Sequence, residues 1–153
     1  MSESMQRWLM KTEPGTFSID DLARRKVEPW DGVRNYQARN FIRSMRRGDA
    51  VMIYHSNCPQ TGVAGLAKVA SAPKPDPTQF DPEGDHFDPG SDPADPRWTL
   101  VDVRFARKLK RVITLDELKA LPNLGDFALI RRGNRLSVLP VSDAQWQAIL
   151  AIE

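Results

Sequence analysis

Seven prolines fall between residues 73 and 96: Pro73, Pro75, Pro77, Pro82, Pro89, Pro93 and Pro96. Proline lacks the amide proton that a helix interior or a central strand needs, so neither element can cross this stretch. Regular structure must come from the residues before it and after it. The stretch is also acidic, with seven acids (Asp76, Asp81, Glu83, Asp85, Asp88, Asp92, Asp95) against Lys74, whereas the remainder carries 21 bases against 13 acids. A basic body with one acidic loop is compatible with a polyanionic partner. Phe80, His86 and Phe87 interrupt the polar run. Aromatics in a loop generally pack on something, so an ordered loop lying on the body is expected.

At 153 residues the chain reads as a single domain, 1–153, with this Pro/Asp-rich loop at about 73–96. No run of apolar residues is long enough to span a bilayer, so no membrane partner is expected. Met1-Ser2-Glu3-Ser4-Met5 lacks the basic-then-apolar order of a secretory leader. The lone Cys58 excludes an internal disulfide and fits a reducing compartment, so a cytoplasmic protein is expected.

Arg7–Thr12 reads as a strand ended by Glu13-Pro14-Gly15. Ser18 reads as the N-cap of a short helix that stops near Lys26. Ala38, Phe41, Ile42 and Met45 recur with helical spacing, and Gly48 is expected at C′ of that helix. Residues 49–55 and 61–72 read as strands joined by a polar turn, with Gly62 and Gly65 marking a bend or close approach. Residues 97–109 alternate as a long strand. Thr114 and Ser142 each open a helix with a capping box. Residues 126–130 and 136–141 read as short strands or a hairpin around Gly133. Trp8 and Trp146 are expected in the core. The order lacks regular βαβ alternation, so the fold class is α+β, a small, strongly bent sheet or barrel with peripheral helices.

Trp30-Asp31-Gly32-Val33-Arg34-Asn35-Tyr36 gathers an aromatic face, a carboxylate, a guanidinium and an amide around one glycine. Such a loop suits a flat polar ligand, and a nucleobase needs both stacking and edge hydrogen bonds. Turn chemistry explains the same residues, with Gly supplying positive φ and Asn35 capping the next helix. Metal binding is poorly supported, since His55, His86 and Cys58 are the only soft ligands. Cys58 and His55 could approach across their turn, so a small hydrolase or transferase is the main rival, although nothing marks an orienting group or oxyanion hole. Asp31, Asp49 and Asp102 read as surface or capping residues. A plain protein-interaction module stays open if the Trp30 region is solid core. No convincing catalytic constellation, metal or cofactor is expected.

The segments Trp8–Pro14, Phe17–Leu22, Trp30–Asn40, Tyr54–Cys58, Asp76–Asp81, Pro96–Trp98 and Arg135–Val138 together resemble the EVE domain family, over about Trp8 to Leu150. That family, which includes bacterial single-domain proteins, has a PUA-like fold, a bent β-barrel with flanking short helices, akin to the YTH and ASCH domains. The resemblance implies a non-enzymatic module that binds DNA or RNA and holds a modified base, methylated or otherwise derivatised, in an aromatic pocket. Carried over by motif, Trp30 would stack on the base and Asn35, Ser56 and Asn57 would contact its edge. Ser18 and Trp98 would help to wall the pocket. Lys11, Arg34 and Arg97 would lie at its mouth, with Arg39, Arg43 and Arg132 on the phosphates. A monomer is the expected state.

Overall fold

The computed structural model describes residues 5–153. Eight strands and four helices follow in the order β1 (Arg7–Thr12), α1 (Ile19–Arg25), β2 (Val27–Pro29), α2 (Tyr36–Ser44), β3 (Ala50–His55), β4 (Gly62–Val69), β5 (Lys74–Pro75), β6 (Thr99–Leu100), β7 (Asp102–Thr114), α3 (Leu115–Ala120), β8 (Val138–Pro140) and α4 (Asp143–Leu150). Six strands form one sheet in the order β2-β7-β4-β3-β1-β8, and β5 pairs with β6. β1 and β3 run parallel, Arg7 opposite Ala50 through Thr12 opposite His55. Every other adjacent pair is antiparallel. Register shifts at Ile53/Tyr54, Val63/Gly65 and Leu66/Ala67 bend the middle strands and curl the sheet into a half-barrel.

Alternation along β1 sends Trp8 and Met10 to one face and Leu9 to the other. β3 does the same, with Val51 and Ile53 beside Trp8 and with Met52 and Tyr54 beside Leu9. The first face is covered by Ile19 and Leu22 of α1 and by Ala38 and Ile42 of α2. The second is covered by Leu118 of α3, Trp146 and Ile149 of α4, and the loop residues Phe127 and Leu129. Central strands are thus buried on both sides, which explains the unbroken apolar runs of β1 and β3. Gly65 lets α1 lie this close, because an added Cβ would sit 2.4 Å from the Ile19 side chain. Trp8 and Trp146 are in the core as expected.

Ser18, Thr114 and Ser142 each close a capping box. Four expectations need correction. α2 stops at Ser44 because Met45 turns extended, so Gly48 lies in a turn at φ 96° and its N–H donates to the Val69 carbonyl. The long strand starts later and ends later than its alternation suggests, at Asp102 and Thr114. Residues 128–130 form a 3-10 turn instead of a strand, since Phe127 and Leu129 plug the second face rather than pair. Asp49 is buried, not a surface residue, and accepts from the Trp8 indole N–H and the Gln6 and Arg46 amides.

Candidate base pocket and nucleic-acid interface

The Trp30 loop is held from three sides. The Trp30 N–H donates to the Val101 carbonyl at 2.9 Å, which ties the loop to the start of β7. Gly32 sits at φ 81°, a backbone conformation that favours glycine, and packs so near the His86 ring that an added Cβ would come within 2.7 Å of it and push that exposed ring aside. The Gly32 N–H donates to Asp76 Oδ2 at 2.8 Å. Asp76 is fully buried and also accepts from the Thr78 amide (2.8 Å), the Thr78 hydroxyl (2.6 Å) and Arg34 (3.1 Å). Burial pushes this carboxyl up, but hydrogen bonds from Thr78, Gly32 and Arg34 together hold it below its ordinary value. Gln79 continues the clamp. Its amide group donates to the Asp76 and Trp98 carbonyls and accepts from Ser91 and the Trp98 N–H. The proline-rich segment is therefore ordered and pins the loop.

Beside this loop opens a cavity of about 400 Å³. Trp30 forms one wall, with the Phe17 ring edge-on to it at 6.0 Å and 84°. Lys11 and Thr12 enter from β1, Glu28 from β2, and Asp31 and His86 from the two loops. Lys11 is half-buried, and burial lowers its ammonium pKa. Burial raises the Glu28 carboxyl, and burial followed by the Asp76 charge raises that of Asp31. Aromatic walls with two cations, Lys11 and Arg25, and two carboxylates, of which Glu28 is paired to Arg25 at 2.8 Å, offer stacking, donors and acceptors to a planar ligand.

A second aromatic cluster lies apart from the cavity. Trp98 stacks on Tyr36 at 5.0 Å and donates its indole N–H to Asp88 at 2.7 Å. The Arg34 guanidinium lies 5.4 Å from the Trp98 ring, and that of Arg39 lies 4.8 Å from the Tyr36 ring. Tyr36, Arg39, Arg43 and Arg97 border a shallow groove of about 340 Å³.

The Cys58–His55 pair gains little from the geometry. His55 Nε2 accepts from the Ile19 amide at 3.1 Å, and burial lowers its pKa. A ring nitrogen engaged in this way is not free to take a proton from a thiol. Among the described residues, no group of three or more His, Cys, Asp or Glu side chains is placed to hold a metal ion.

Residues 6–152 match the EVE domain model. The chain belongs to the EVE domain family. Human thymocyte nuclear protein 1 is 41% identical over 168 residues, covering 95% of this chain and 73% of that protein. Among solved structures, a protein from Pseudomonas putida is 46% identical with a TM-score of 0.93, covering 95% of this chain and 98% of its own. The human THYN1 protein in complex with 5-methylcytosine-containing DNA is 41% identical with a TM-score of 0.91, covering 96% of both chains.

The residues carried over from the EVE pattern separate in space. Lys11 and Trp30 line the cavity together. Ser18, Ser56 and Asn57 gather around the ends of β1 and β3 but are absent from its wall. The Ser18 hydroxyl caps α1, the Ser56 amide donates to the Thr12 carbonyl, and Asn57 donates to Glu13 at 3.2 Å. Trp98 stacks against Tyr36 and does not line this cavity. The Asn35 side-chain oxygen accepts from the Ala38 amide, and the residue lines a different, larger groove. Arg34 and Arg97 are fixed internally, the first to Asp76, Thr78 and the His86 carbonyl, the second to Asp88 and the Gly90 carbonyl. Arg39 and Arg43 reach the Arg97 carbonyl with part of their guanidinium edges. Arg132 is exposed, with no hydrogen bond or ion pair among the described residues. Thr12, Glu28, Asp31 and His86 were missed as lining residues. Only Asp31 carried a signal, its position next to Trp30; His86 lies 56 positions away in an acidic stretch.

Proposed function

We propose that this chain is a non-catalytic reader that takes a modified base, flipped from a nucleic acid, into the Trp30 cavity. The observation that carries the reading is the cavity itself: about 400 Å³, walled by Trp30 and Phe17, with Lys11, Glu28 and Asp31 turned toward it. Stacking on an aromatic wall contributes roughly 1–3 kcal/mol per base, which offsets the few kcal/mol that flipping costs. A carboxylate suits the exocyclic amino group of a cytosine, and the Lys11 ammonium suits a ring carbonyl or nitrogen. The complex of human THYN1 with 5-methylcytosine-containing DNA supports DNA as the first partner to try. RNA is the second arm of the same experiment.

Binding of matched oligonucleotides with and without 5-methylcytosine, at one stated salt concentration, tests the proposal. A preference for the modified strand is expected, and Trp30→Ala should abolish it. Because Trp30 is largely buried, Lys11→Met serves as a milder second variant and should also narrow the preference. Equal binding of both strands by the unaltered protein, together with unchanged binding in both variants, overturns the reading.

A further inference from the structure

A second cavity, about 740 Å³, is not lined by Trp30 and lies between the start of α2, residues 126–136 and the start of α4. Its chemistry is cationic. Arg131, Arg132 and Arg135 border it, and only Arg131 is paired, to Asp126 at 2.9 Å. Arg132 and Arg135 are exposed and have no ion-pair or hydrogen-bond partner among the described residues. Asn134 Nδ2, in the same wall, is a buried donor without an acceptor. An orphaned buried donor costs stability unless something occupies it. Two helices also begin here. The N-caps Asn35 and Ser142 and the first-turn residues Gln37 and Gln145 line the groove, so the starts of the nine-residue α2 and the eight-residue α4, each capped by its own side chain, border it.

We infer that this groove holds backbone phosphodiesters of the same strand whose base enters the Trp30 cavity, an inference that rests on the function proposed above. Two free guanidiniums bordering the groove select an anion, and the two helix starts beside them add to the positive potential. Of the two aromatics in the wall, Phe127 is buried and Phe41 is partly buried and packs on Trp8 at 5.9 Å, so the exposed groups there are mainly the arginines. Asn35 follows Trp30 by five residues, which limits their separation to about 18 Å, a span a few nucleotides cover. The contacts supply affinity and register without reading sequence or modification.

The test is the double variant Arg132→Ala/Arg135→Ala of the full chain, titrated with short 5-methylcytosine DNA, its unmodified counterpart and the matching RNA. Affinity for modified and unmodified DNA should fall by the same factor, about tenfold, and the slope of log affinity against log salt should flatten by about one to two. The preference ratio should stay. RNA should weaken equally, since the phosphodiester is shared. A control, Lys68→Ala/Arg104→Ala, removes two exposed cations that neighbour each other on β4 and β7, far across the sheet from β8. Unchanged affinity and slope in the Arg132/Arg135 variant overturn the inference, and so does an equal loss in the control. If the unaltered protein shows no preference for a modified base while the Arg132/Arg135 variant still flattens the slope, the reader function fails and the phosphate groove stands.

Discussion

Asp76 shows how one side chain sets a loop. Its two oxygens receive four hydrogen bonds, from Gly32, Arg34 and both donors of Thr78. Asp76→Ala leaves those donors facing a void, and a loss of about 3–5 kcal/mol in denaturant unfolding is expected. The pH dependence follows from its lowered pKa. An Asp with a folded pKa below the unfolded value of about 3.9 contributes stability in full above that value and loses it as pH falls through the folded pKa. The acid limb of the unaltered protein should therefore be shallower in Asp76→Asn, measured by unfolding at a series of pH values. Glu28 and Asp31 shift the other way. If their ionised forms accept hydrogen bonds from the base, affinity should drop on acidification at a pH above the ordinary carboxylate range. Asp31→Asn should remove part of that drop in a binding titration.

At the scale of elements, Gly65 decides how closely α1 approaches the sheet. Gly65→Ala places a methyl group against Ile19 and 3.0 Å from the Arg107 carbonyl. Overpacking of this kind costs about 1–3 kcal/mol, readable as a lower denaturation midpoint with an unchanged m-value. Elements whose causes are local were legible in the chain. The capping boxes at Ser18, Thr114 and Ser142 need only residues three apart, and the alternation of β1 and β3 needs only neighbours. Helix α2 was legible by its stripe, but its end was not, because Met45 breaks it before Gly48. The candidate site was half legible. Trp30 and Lys11, both singled out in the sequence, line the same cavity. Trp98 lies against Tyr36, 62 positions away, and an Arg-Trp pair looks the same in sequence whether its ring meets a ligand or another side chain. Glu28 and His86 could not be found, since a cavity wall assembled from β1, β2 and two loops leaves no pattern in any one of them.

The whole molecule is electrostatically divided, with a net −6 over residues 73–96 on a body of net +8. Long-range repulsion from the acidic loop should lower affinity for any polyanion, most strongly at low salt. Glu83→Gln/Asp85→Asn alters two exposed side chains and should tighten binding of unmodified DNA by about two- to fivefold at low salt, with the difference vanishing as screening grows. No helix among the described residues is long and apolar enough to cross a membrane. The four tryptophans are also divided. Trp8 and Trp98 each donate an indole N–H to a carboxylate, Trp146 packs in the core under Arg7, and Trp30 alone borders the cavity. The protein thus carries its own optical reporter. A base arriving beside Trp30 would quench one emitter and leave three as an internal standard, so occupancy is measurable without a label.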